Sequence, residues 1–198
     1  MYRFLESIQL NDGKFKRLSY HQARVNCVFE TYFPDKSSIN LEEFLSKYQS
    51  PTRGVFKCRL IYDYNVQSVE FQQYTMRNIE TLQLIETDME SAFYKSENRE
   101  KLNQAFSQRG NCDDVILVKE GLLTDASYCN IALYNGDKWI TPRIPLIYGV
   151  NRAELLENKI INEGDISVDD LKNYSKIRLF NAMIEFGELE IGIENIAF

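Results

Sequence analysis

The sequence predicts a mixed α+β fold in two subdomains. Short runs in which apolar and polar residues alternate mark strands, and helical patterns stand among them without a regular strand–helix repeat. Turn signals recur at hairpin spacing, for example N-D-G at 11–13 and N-G-D at 135–137. An acidic stretch at 86–90 follows the last strand of the first half. We therefore expect an N-terminal α/β subdomain at 1–86 and a C-terminal subdomain at 87–198.

Capping residues and helix breakers predict two helices in the first half. Ser19 is placed to cap a helix that runs to Tyr32 and stops before Pro34, and Asn40 is placed to cap a helix at 41–48. The alternation of apolar and polar residues predicts strands at 4–10, 55–64, 69–74 and 79–85.

The second half combines three predicted helices with several short strands. Ser96 is placed to cap a helix to Gln108, a second helix begins at Arg152, and Ser167 is placed to cap a third at 168–174. Apolar runs predict strands at 115–118, 129–134, 139–141, 177–183 and 190–198, with a further edge at 122–123. Asp125 then falls in a short polar loop between apolar strands.

Charge and hydropathy exclude several classes of function. The chain has 23 Lys and Arg against 29 Asp and Glu, and this net charge of −6 argues against nucleic acid as a partner. No apolar run approaches the ~20 residues of a membrane span, and Glu6 interrupts the N-terminal run before it resembles a signal peptide. Four cysteines are spread singly, without a C-x-x-C pair, which argues against a metal knuckle. We expect a cytoplasmic protein with reduced cysteines and no metal site.

His21 is the only histidine of the chain. A Ser/His/Asp triad, a Cys/His pair and a multi-histidine metal site each need histidine at particular places. If the protein is an enzyme, another group must therefore move the protons.

Two segments have the residue types of an anion site, and each also has an ordinary explanation. One is the segment 148–152, where Gly149 opens a helix and free N–H groups suit a phosphate, although many helices simply begin this way. His21 and Arg24 lie one turn apart on a helix face that could equally be solvated. Neither a G-x-G-x-x-G nor a phosphate-loop motif is present. Taken alone, Lys95 is a surface lysine and Asp125 a turn residue.

The order of short motifs along the chain is more specific than any one of them. In chain order they are FLESI at 4–8, HQAR at 21–24, YKSENR at 94–99, DDVILV at 113–118, EGLLTDASYCNI at 120–131, TPR at 141–143, GVNRAELL at 149–156 and FNAM at 180–183. This series resembles the class IV aminotransferase family, which uses pyridoxal phosphate. The family includes branched-chain and D-amino-acid aminotransferases and 4-amino-4-deoxychorismate lyase, and the resemblance covers nearly the whole chain.

The resemblance implies the fold type IV architecture of D-amino-acid aminotransferase, in which the cofactor site lies between two subdomains. Two features depart from the family pattern. The family usually has a further N-terminal strand segment of about 25 residues before the position at which this chain starts. Asp125 stands where the family has glutamate. The family is usually a homodimer, so the resemblance implies a second copy of the chain as partner.

Two residues would carry the chemistry that the resemblance implies. Lys95 would bind pyridoxal phosphate covalently through its amine and then act as the general base at the substrate Cα. Asp125 would stand under the pyridine nitrogen and keep it protonated, so that the ring can act as an electron sink. Because aspartate is one methylene shorter than glutamate, its strand must approach the ring more closely, or a water must bridge the gap.

The remaining cofactor contacts implied by the resemblance are to the phosphate. Arg24 would bind it, and the backbone N–H groups of Val150 and Asn151 would complete the site. Asn181 and Ala182 would lie on its rim.

The resemblance leaves the reaction open between three alternatives. The sequence at 181–183, Asn-Ala-Met, is closer to the lyase's N-A-L than to the G-T-A of branched-chain transaminases, which favours conversion of 4-amino-4-deoxychorismate into 4-aminobenzoate and pyruvate for folate synthesis. A class IV aminotransferase acting on branched-chain or D-amino acids is the second alternative, and a non-catalytic homologue is the third. Arg59 and Arg143 are candidates for substrate carboxylates, or else ordinary surface ion pairs.

Overall fold

The computed structural model describes residues 3–198 and has the mixed α+β composition that the sequence predicts. Met1 and Tyr2, the first residues of the segment that we take not to be a signal peptide, lie outside the described residues. The chain forms two compact units. Within the described residues, the first comprises the chain up to Thr75 together with Phe93–Asn98, and the second comprises Met76–Ala92 and Arg99–Phe198. This division differs from the predicted boundary after residue 86, and it assigns Lys95 to the first unit.

The first unit is an antiparallel sheet with two helices. Among residues 3–75 the sheet has the strand order β2-β1-β3-β4, formed by β1 (Phe4–Asn11), β2 (Lys14–Phe15), β3 (Val55–Tyr62) and β4 (Val66–Gln73). Helix α1 (Leu18–Tyr32) and helix α2 (Leu41–Leu45) contribute apolar side chains to the same core as β1 and β3. Asn40 caps α2 as predicted, because its Oδ1 accepts the N–H of Glu43 at 3.0 Å.

The predicted cap at Ser19 is wrong. Helix α1 already begins at Leu18, directly after Arg17, whose left-handed φ of 54° turns the chain out of β2. The helix ends at Tyr32, before Pro34, as the sequence indicates.

The segment Phe93–Asn98 belongs to the first unit because it pairs with the start of β1. Ser96 forms an antiparallel bridge with Phe4, and the N–H of Leu5 donates to the carbonyl of Lys95 at 2.8 Å. Strand β2 pairs only with the C-terminal end of β1, at Leu10 and Asn11. The segment Phe93–Asn98 therefore pairs with backbone groups of β1 that β2 does not reach. The helix predicted to start after Ser96 therefore begins only at Glu100.

The second unit is built on a larger mixed sheet. Within residues 76–198 its strand order is β10-β9-β8-β7-β6-β5-β13, and a further strand, β11, pairs with both β8 and β12. The strands are β5 (Leu82–Glu86), β6 (Asp114–Lys119), β7 (Leu122–Ala126), β8 (Asn130–Tyr134), β9 (Trp139–Pro142), β10 (Asn162–Gly164), β11 (Lys176–Phe180), β12 (Glu190–Gly192) and β13 (Ile196–Ala197). Its helices are α3 (Glu100–Ser107) and α4 (Val150–Glu157), with 3-10 helices at Val168–Asn173 and Ile193–Asn195.

Several predicted elements of this unit are confirmed with changed ends. Ser167 caps its helix in a reciprocal capping box with Asp170, although that helix is 3-10 rather than α. The strand predicted at 190–198 is divided by the 3-10 turn, and the strand predicted to reach 183 ends at Phe180. Asp125 lies within β7 rather than in a loop, which corrects the sequence-based placement.

Residues 3–198 contain neither a candidate membrane span nor a candidate metal site. In this part of the chain no helix is long and apolar enough to cross a membrane. No group of three or more His, Cys, Asp or Glu side chains within the described residues is arranged to hold a metal ion.

Candidate active site

The first unit buries a charged cluster that joins β1 to α1. Glu6 of β1 accepts two hydrogen bonds from Arg24, from Nε at 2.8 Å to Oε1 and from Nη2 at 2.5 Å to Oε2. Nδ1 of His21 lies 2.5 Å from the same Oε2. Glu6 and His21 are 1% and 0% exposed, and Arg24 is 8% exposed. We name these three residues the Glu6 cluster.

The charges of the Glu6 cluster support one another. Burial alone would raise the pKa of Glu6, but the charge of Arg24 and the hydrogen bond from His21 lower it to about 2. Burial, opposed by Glu6, lowers the pKa of His21, so the imidazole is neutral at pH 7. A neutral ring beside an ionised carboxylate carries its proton on Nδ1, from where it donates to Glu6. The cluster is therefore an Arg–carboxylate pair to which a neutral histidine adds a third donor.

Lys95 lies in the segment Phe93–Asn98, which pairs with the start of β1. Its carbonyl accepts the N–H of Leu5, so the backbone position of this residue is fixed by the sheet. The positive charge of Lys95 also contributes to lowering the pKa of His21. Lys95 thus lies in the same unit as the Glu6 cluster, which contains the other predicted site residue of this unit, Arg24.

The second unit holds Asp125 on β7 with its carboxylate almost completely buried. Asn130 at the start of β8 donates from Nδ2 to Asp125 Oδ1 at 2.7 Å and to the carbonyl of Ile147 at 2.8 Å. The N–H of Ile147 donates to Asp125 Oδ2 at 2.8 Å. Both carboxylate oxygens are therefore tied to the chain that leads into α4. Gly149 permits this arrangement, because a Cβ there would lie 2.0 Å from Asn130 Oδ1.

The protonation of Asp125 is finely balanced. Burial raises its pKa to about 7, and the hydrogen bonds from Ile147 and Asn130 and the charge of Arg152 oppose this rise. At neutral pH the carboxyl group can therefore either accept or release a proton, which is the behaviour expected of a group that serves proton chemistry.

The start of α4 is joined to the loop after β11. Asn151 donates from Nδ2 to the carbonyls of Asn181 and Ile184, at 2.9 and 3.0 Å. Oδ1 of Asn181 in turn accepts the N–H groups of Met183 and Ile184. Residue Gly149 stands at the N-cap, where no side chain caps the helix, and the first turn contains no acidic residue. This helix start can therefore accept an anion.

The structure brings the predicted site residues together within each unit. The first unit contains Arg24 and Lys95, and the second contains the remainder: Asp125, Val150, Asn151, Asn181 and Ala182. The solvated-face interpretation of His21 and Arg24 is wrong, because both side chains are buried.

Two candidate arginines for substrate carboxylates form ion pairs. Arg59 lies 3.8 Å from Glu97, and Arg143 donates to Asp165 at 3.0 Å with both side chains more than half exposed. Arg143 therefore forms an ordinary surface ion pair, which is the second of the two alternatives that the sequence left open for it.

Sequence reasoning gave no role to two residues of these clusters. Glu6 lies on the core-facing side of β1, together with Phe4 and Ile8. A charged residue at such a position is unusual, and in the sequence it was the one indication that Glu6 has a special role. Asn130 was noted only as part of a motif, and no sequence pattern indicated that it bonds Asp125 across a hairpin.

Comparison with known proteins agrees with this architecture. The family model for aminotransferase class IV matches residues 63–188. An uncharacterized protein of Haemophilus influenzae is 31% identical over 186 residues, which cover 92% of this chain and 98% of that protein. A provisionally named aminodeoxychorismate lyase of Schizosaccharomyces pombe is 36% identical over 89 residues, 42% of this chain and 38% of that protein.

A solved structure matches almost from end to end. The crystal structure of a provisionally named 4-amino-4-deoxychorismate lyase of Haemophilus somnus superimposes with a TM-score of 0.86 and 29% identity, over 93% of this chain and 98% of that one. The family model alone spans more than half of the chain, and the relative from Haemophilus influenzae spans nearly all of it. The chain therefore belongs to the class IV aminotransferase family and has its fold type IV architecture.

Proposed function

We propose that the protein is a pyridoxal phosphate-dependent lyase that converts 4-amino-4-deoxychorismate into 4-aminobenzoate and pyruvate. The observation that carries the proposal is the chain-long likeness to the Haemophilus somnus structure, which bears that lyase's name. The loop after β11 supports it. There Asn181 uses its side chain within the unit and Ala182 has no polar atom, so neither offers the hydroxyl that the transaminase motif supplies.

The residues present fit the cofactor of the family. The first turn of α4 has free N–H groups without a side-chain cap, which suits the phosphate. Arg24 donates to Glu6 from Nε and Nη2, and a guanidinium has five N–H groups, so others remain for an anion. Asp125 carries a carboxyl group that can hold a proton near neutrality. The proposal therefore assigns the phosphate to Arg24, Val150 and Asn151, with Asn181 and Ala182 at its rim.

Each remaining role follows from ordinary proton chemistry. When bound, pyridoxal phosphate withdraws electrons from the bonds at the substrate carbon that carries the amine. In the proposal, Nζ of Lys95 would hold the cofactor and, once the substrate amine has replaced it there, the freed amine would take the proton from that carbon. The carboxylate of Asp125 would keep the pyridine nitrogen of the bound cofactor protonated. The substrate loses a C–H bond at the carbon that carries the amine and a C–O bond at the neighbouring ring carbon, and its ring becomes aromatic. The departing enolate takes a proton at its methylene carbon and becomes pyruvate, so no oxidant is required.

A class IV aminotransferase acting on branched-chain or D-amino acids is the second candidate, because the matched family model itself describes aminotransferases. It uses the same Lys95 and Asp125 and differs in where the proton is returned. A homodimer, which the family resemblance implies, stays a prediction.

The experiment that tests the proposal supplies 4-amino-4-deoxychorismate to the purified protein with pyridoxal phosphate and measures pyruvate with lactate dehydrogenase. We expect pyruvate without any added keto acid, and none from Lys95→Ala. The wild-type protein should absorb at the edge of the visible range, and Lys95→Ala should lose that band. Turnover of a branched-chain amino acid with 2-oxoglutarate, in the absence of pyruvate release, would replace the lyase by the aminotransferase. A protein that takes up no cofactor contradicts both and supports the non-catalytic alternative.

A further inference from the structure

The Glu6 cluster is costly as a purely structural device. Glu6 and His21 lie among the apolar side chains that β1 and α1 contribute to the core, and both are essentially unexposed. Replacing a buried ion pair by well-packed apolar residues is often neutral or stabilising, because removing two charges from water costs several kcal/mol. Stability alone therefore does not account for a charged group that is this deeply buried.

The geometry of the pair leaves one edge of Arg24 available. Glu6 occupies the side edge of the guanidinium, which is formed by Nε and Nη2. The planar fork has a second edge, formed by Nη1 and Nη2, that can bind another anion in the same plane. Arg24 is also the most exposed member of the cluster, at 8% against 1% for Glu6. Both side chains are thus buried, and Arg24 is less completely buried than the carboxylate.

His21 completes the support of the carboxylate. Its Nδ1 lies within hydrogen-bond distance of Glu6 Oε2, the oxygen that also accepts Arg24 Nη2. Since the imidazole is neutral, it adds a donor to Glu6 without adding a positive charge that would compete with Arg24 for the carboxylate. Three hydrogen bonds therefore fix the carboxylate, and the carboxylate fixes the plane of the guanidinium.

We propose that Glu6 is a positioning residue that orients Arg24 so that its free edge receives the phosphate of pyridoxal phosphate, with His21 holding Glu6 in place. This inference rests on the proposed cofactor. It assigns to Glu6 a role in phosphate recognition and none in the chemistry at the substrate carbon. Without the carboxylate, Arg24 is left with a buried charge, which it relieves by turning toward solvent and away from this orientation.

The test compares pyridoxal phosphate with pyridoxal, which lacks the phosphate. Dissociation constants of both are measured by absorbance titration for the wild type, Glu6→Gln and the control Glu97→Gln. The control makes the same chemical change in the same unit, at a glutamate whose ion pairs with Arg3 and Arg59 are long, at 3.7 and 3.8 Å. We expect Glu6→Gln to bind pyridoxal phosphate about 10- to 100-fold more weakly, with pyridoxal changed by less than about 2-fold. The control should change neither.

A double mutant decides whether the effect passes through Arg24. Arg24→Met alone should lose pyridoxal phosphate affinity, and Glu6→Gln on that background should add nothing further. Equal weakening of both ligands in Glu6→Gln, or additive losses in the double mutant, would overturn the inference and leave Glu6 a structural residue.

Two further outcomes keep the proposal testable. If Glu6→Gln is recovered unfolded, Glu6→Asp keeps the charge but withdraws it by one methylene, and it should still lose affinity for pyridoxal phosphate selectively. Wild-type affinity in that variant overturns the inference. A wild-type protein that does not bind pyridoxal phosphate overturns the proposed function and this inference together, whereas binding that is unaffected by Glu6→Gln overturns the inference alone.

Discussion

Replacing Gly149 by alanine tests whether the amide of Asn130 fixes Asp125. A Cβ at position 149 would lie 2.0 Å from Asn130 Oδ1, so the amide must move. Both hydrogen bonds from its Nδ2, to Asp125 and to the carbonyl of Ile147, are then broken. Gly149 has a φ of −71° and a ψ of 146°, which alanine adopts readily, so backbone strain adds nothing to the effect.

The expected cost follows from those two bonds. A neutral hydrogen bond contributes about 0.5–1.5 kcal/mol and one to a charged group about 1.5–3 kcal/mol, so Gly149→Ala should lower the free energy of unfolding by roughly 2–4 kcal/mol. Asn130→Ala removes the same bonds and should cost a similar amount. It also removes the obstacle, so Gly149→Ala on that background should cost less than about 0.5 kcal/mol.

Urea unfolding followed by the fluorescence of Trp139 measures these changes, since the only tryptophan of the chain lies on β9 of the same unit. Gly192→Ala is a matched control. Gly192 has the same φ of −71° and ψ of 146°, and its Cβ would meet the exposed carboxylate of Glu194, which can swing into solvent. A loss in Gly149→Ala no larger than in Gly192→Ala, or one that persists beside Asn130→Ala, would refute the reasoning.

Three further predictions concern buried charges. Burial raises the pKa of Asp125 to about 7, so the folded protein without cofactor keeps a proton that the unfolded chain loses near 3.8. Stability should therefore fall as the pH rises from 3.8 toward 7, and Asp125→Asn should flatten this part of a urea-unfolding series; an unchanged slope contradicts the assignment. Burial favours the protonated form of Glu6, but the charge of Arg24 and the hydrogen bond from His21 hold its pKa at about 2. The contribution of Glu6 to stability is therefore complete above pH 4.5 and is lost as the pH falls toward 2. Glu6→Gln should remove this acid-side loss, and a variant with the wild-type acid profile would contradict it. Arg152→Met removes hydrogen bonds from a buried guanidinium to the carbonyl of Pro142 and to Glu163, and should lower the free energy of unfolding by about 2–3 kcal/mol. Arg143→Met removes an exposed ion pair and should lower it by about 0–1 kcal/mol. Equal losses in the two variants would contradict this prediction.

Local side-chain chemistry made some elements predictable. Asn40 and Ser167 cap helices because each side-chain oxygen reaches a backbone N–H three residues ahead, a contact that depends only on neighbouring sequence. The hairpin turn at 135–137 was equally readable, since Gly136 adopts a φ of 96° that few other residues tolerate.

Tertiary pairing explains the elements that were misplaced. Ser96 has the residue type of a helix cap, but its backbone pairs with Phe4, 92 positions earlier in the chain. Asp125 resembles a turn residue, but β6 and β8 extend β7 to include it. In both cases the deciding partner lies outside the local window that a propensity argument reads.

The candidate site was predictable as a set of positions and less so as a network. The motif order selected Lys95, Arg24 and Asp125, whose roles toward the cofactor stay predictions. The motif order did not indicate that Glu6 binds one edge of the Arg24 guanidinium, because that contact depends on how α1 packs against β1. The nearest indication in the sequence was that Glu6, a charged residue, stands on the side of β1 whose other residues are apolar and face the core.

The pairing of the segment around Lys95 with β1 sets an order of events during synthesis. Leu5 leaves the ribosome about 90 residues before Lys95, an interval of roughly 5–18 s at 5–20 residues per second. Throughout that interval the first residues of β1 present an uncovered strand edge, which another nascent chain could pair with or a chaperone could bind. By the time the covering segment arrives, β5 of the second unit has already been made. An expression fragment that ends at residue 75 would keep this edge open permanently, and aggregation of such a fragment is the expected result.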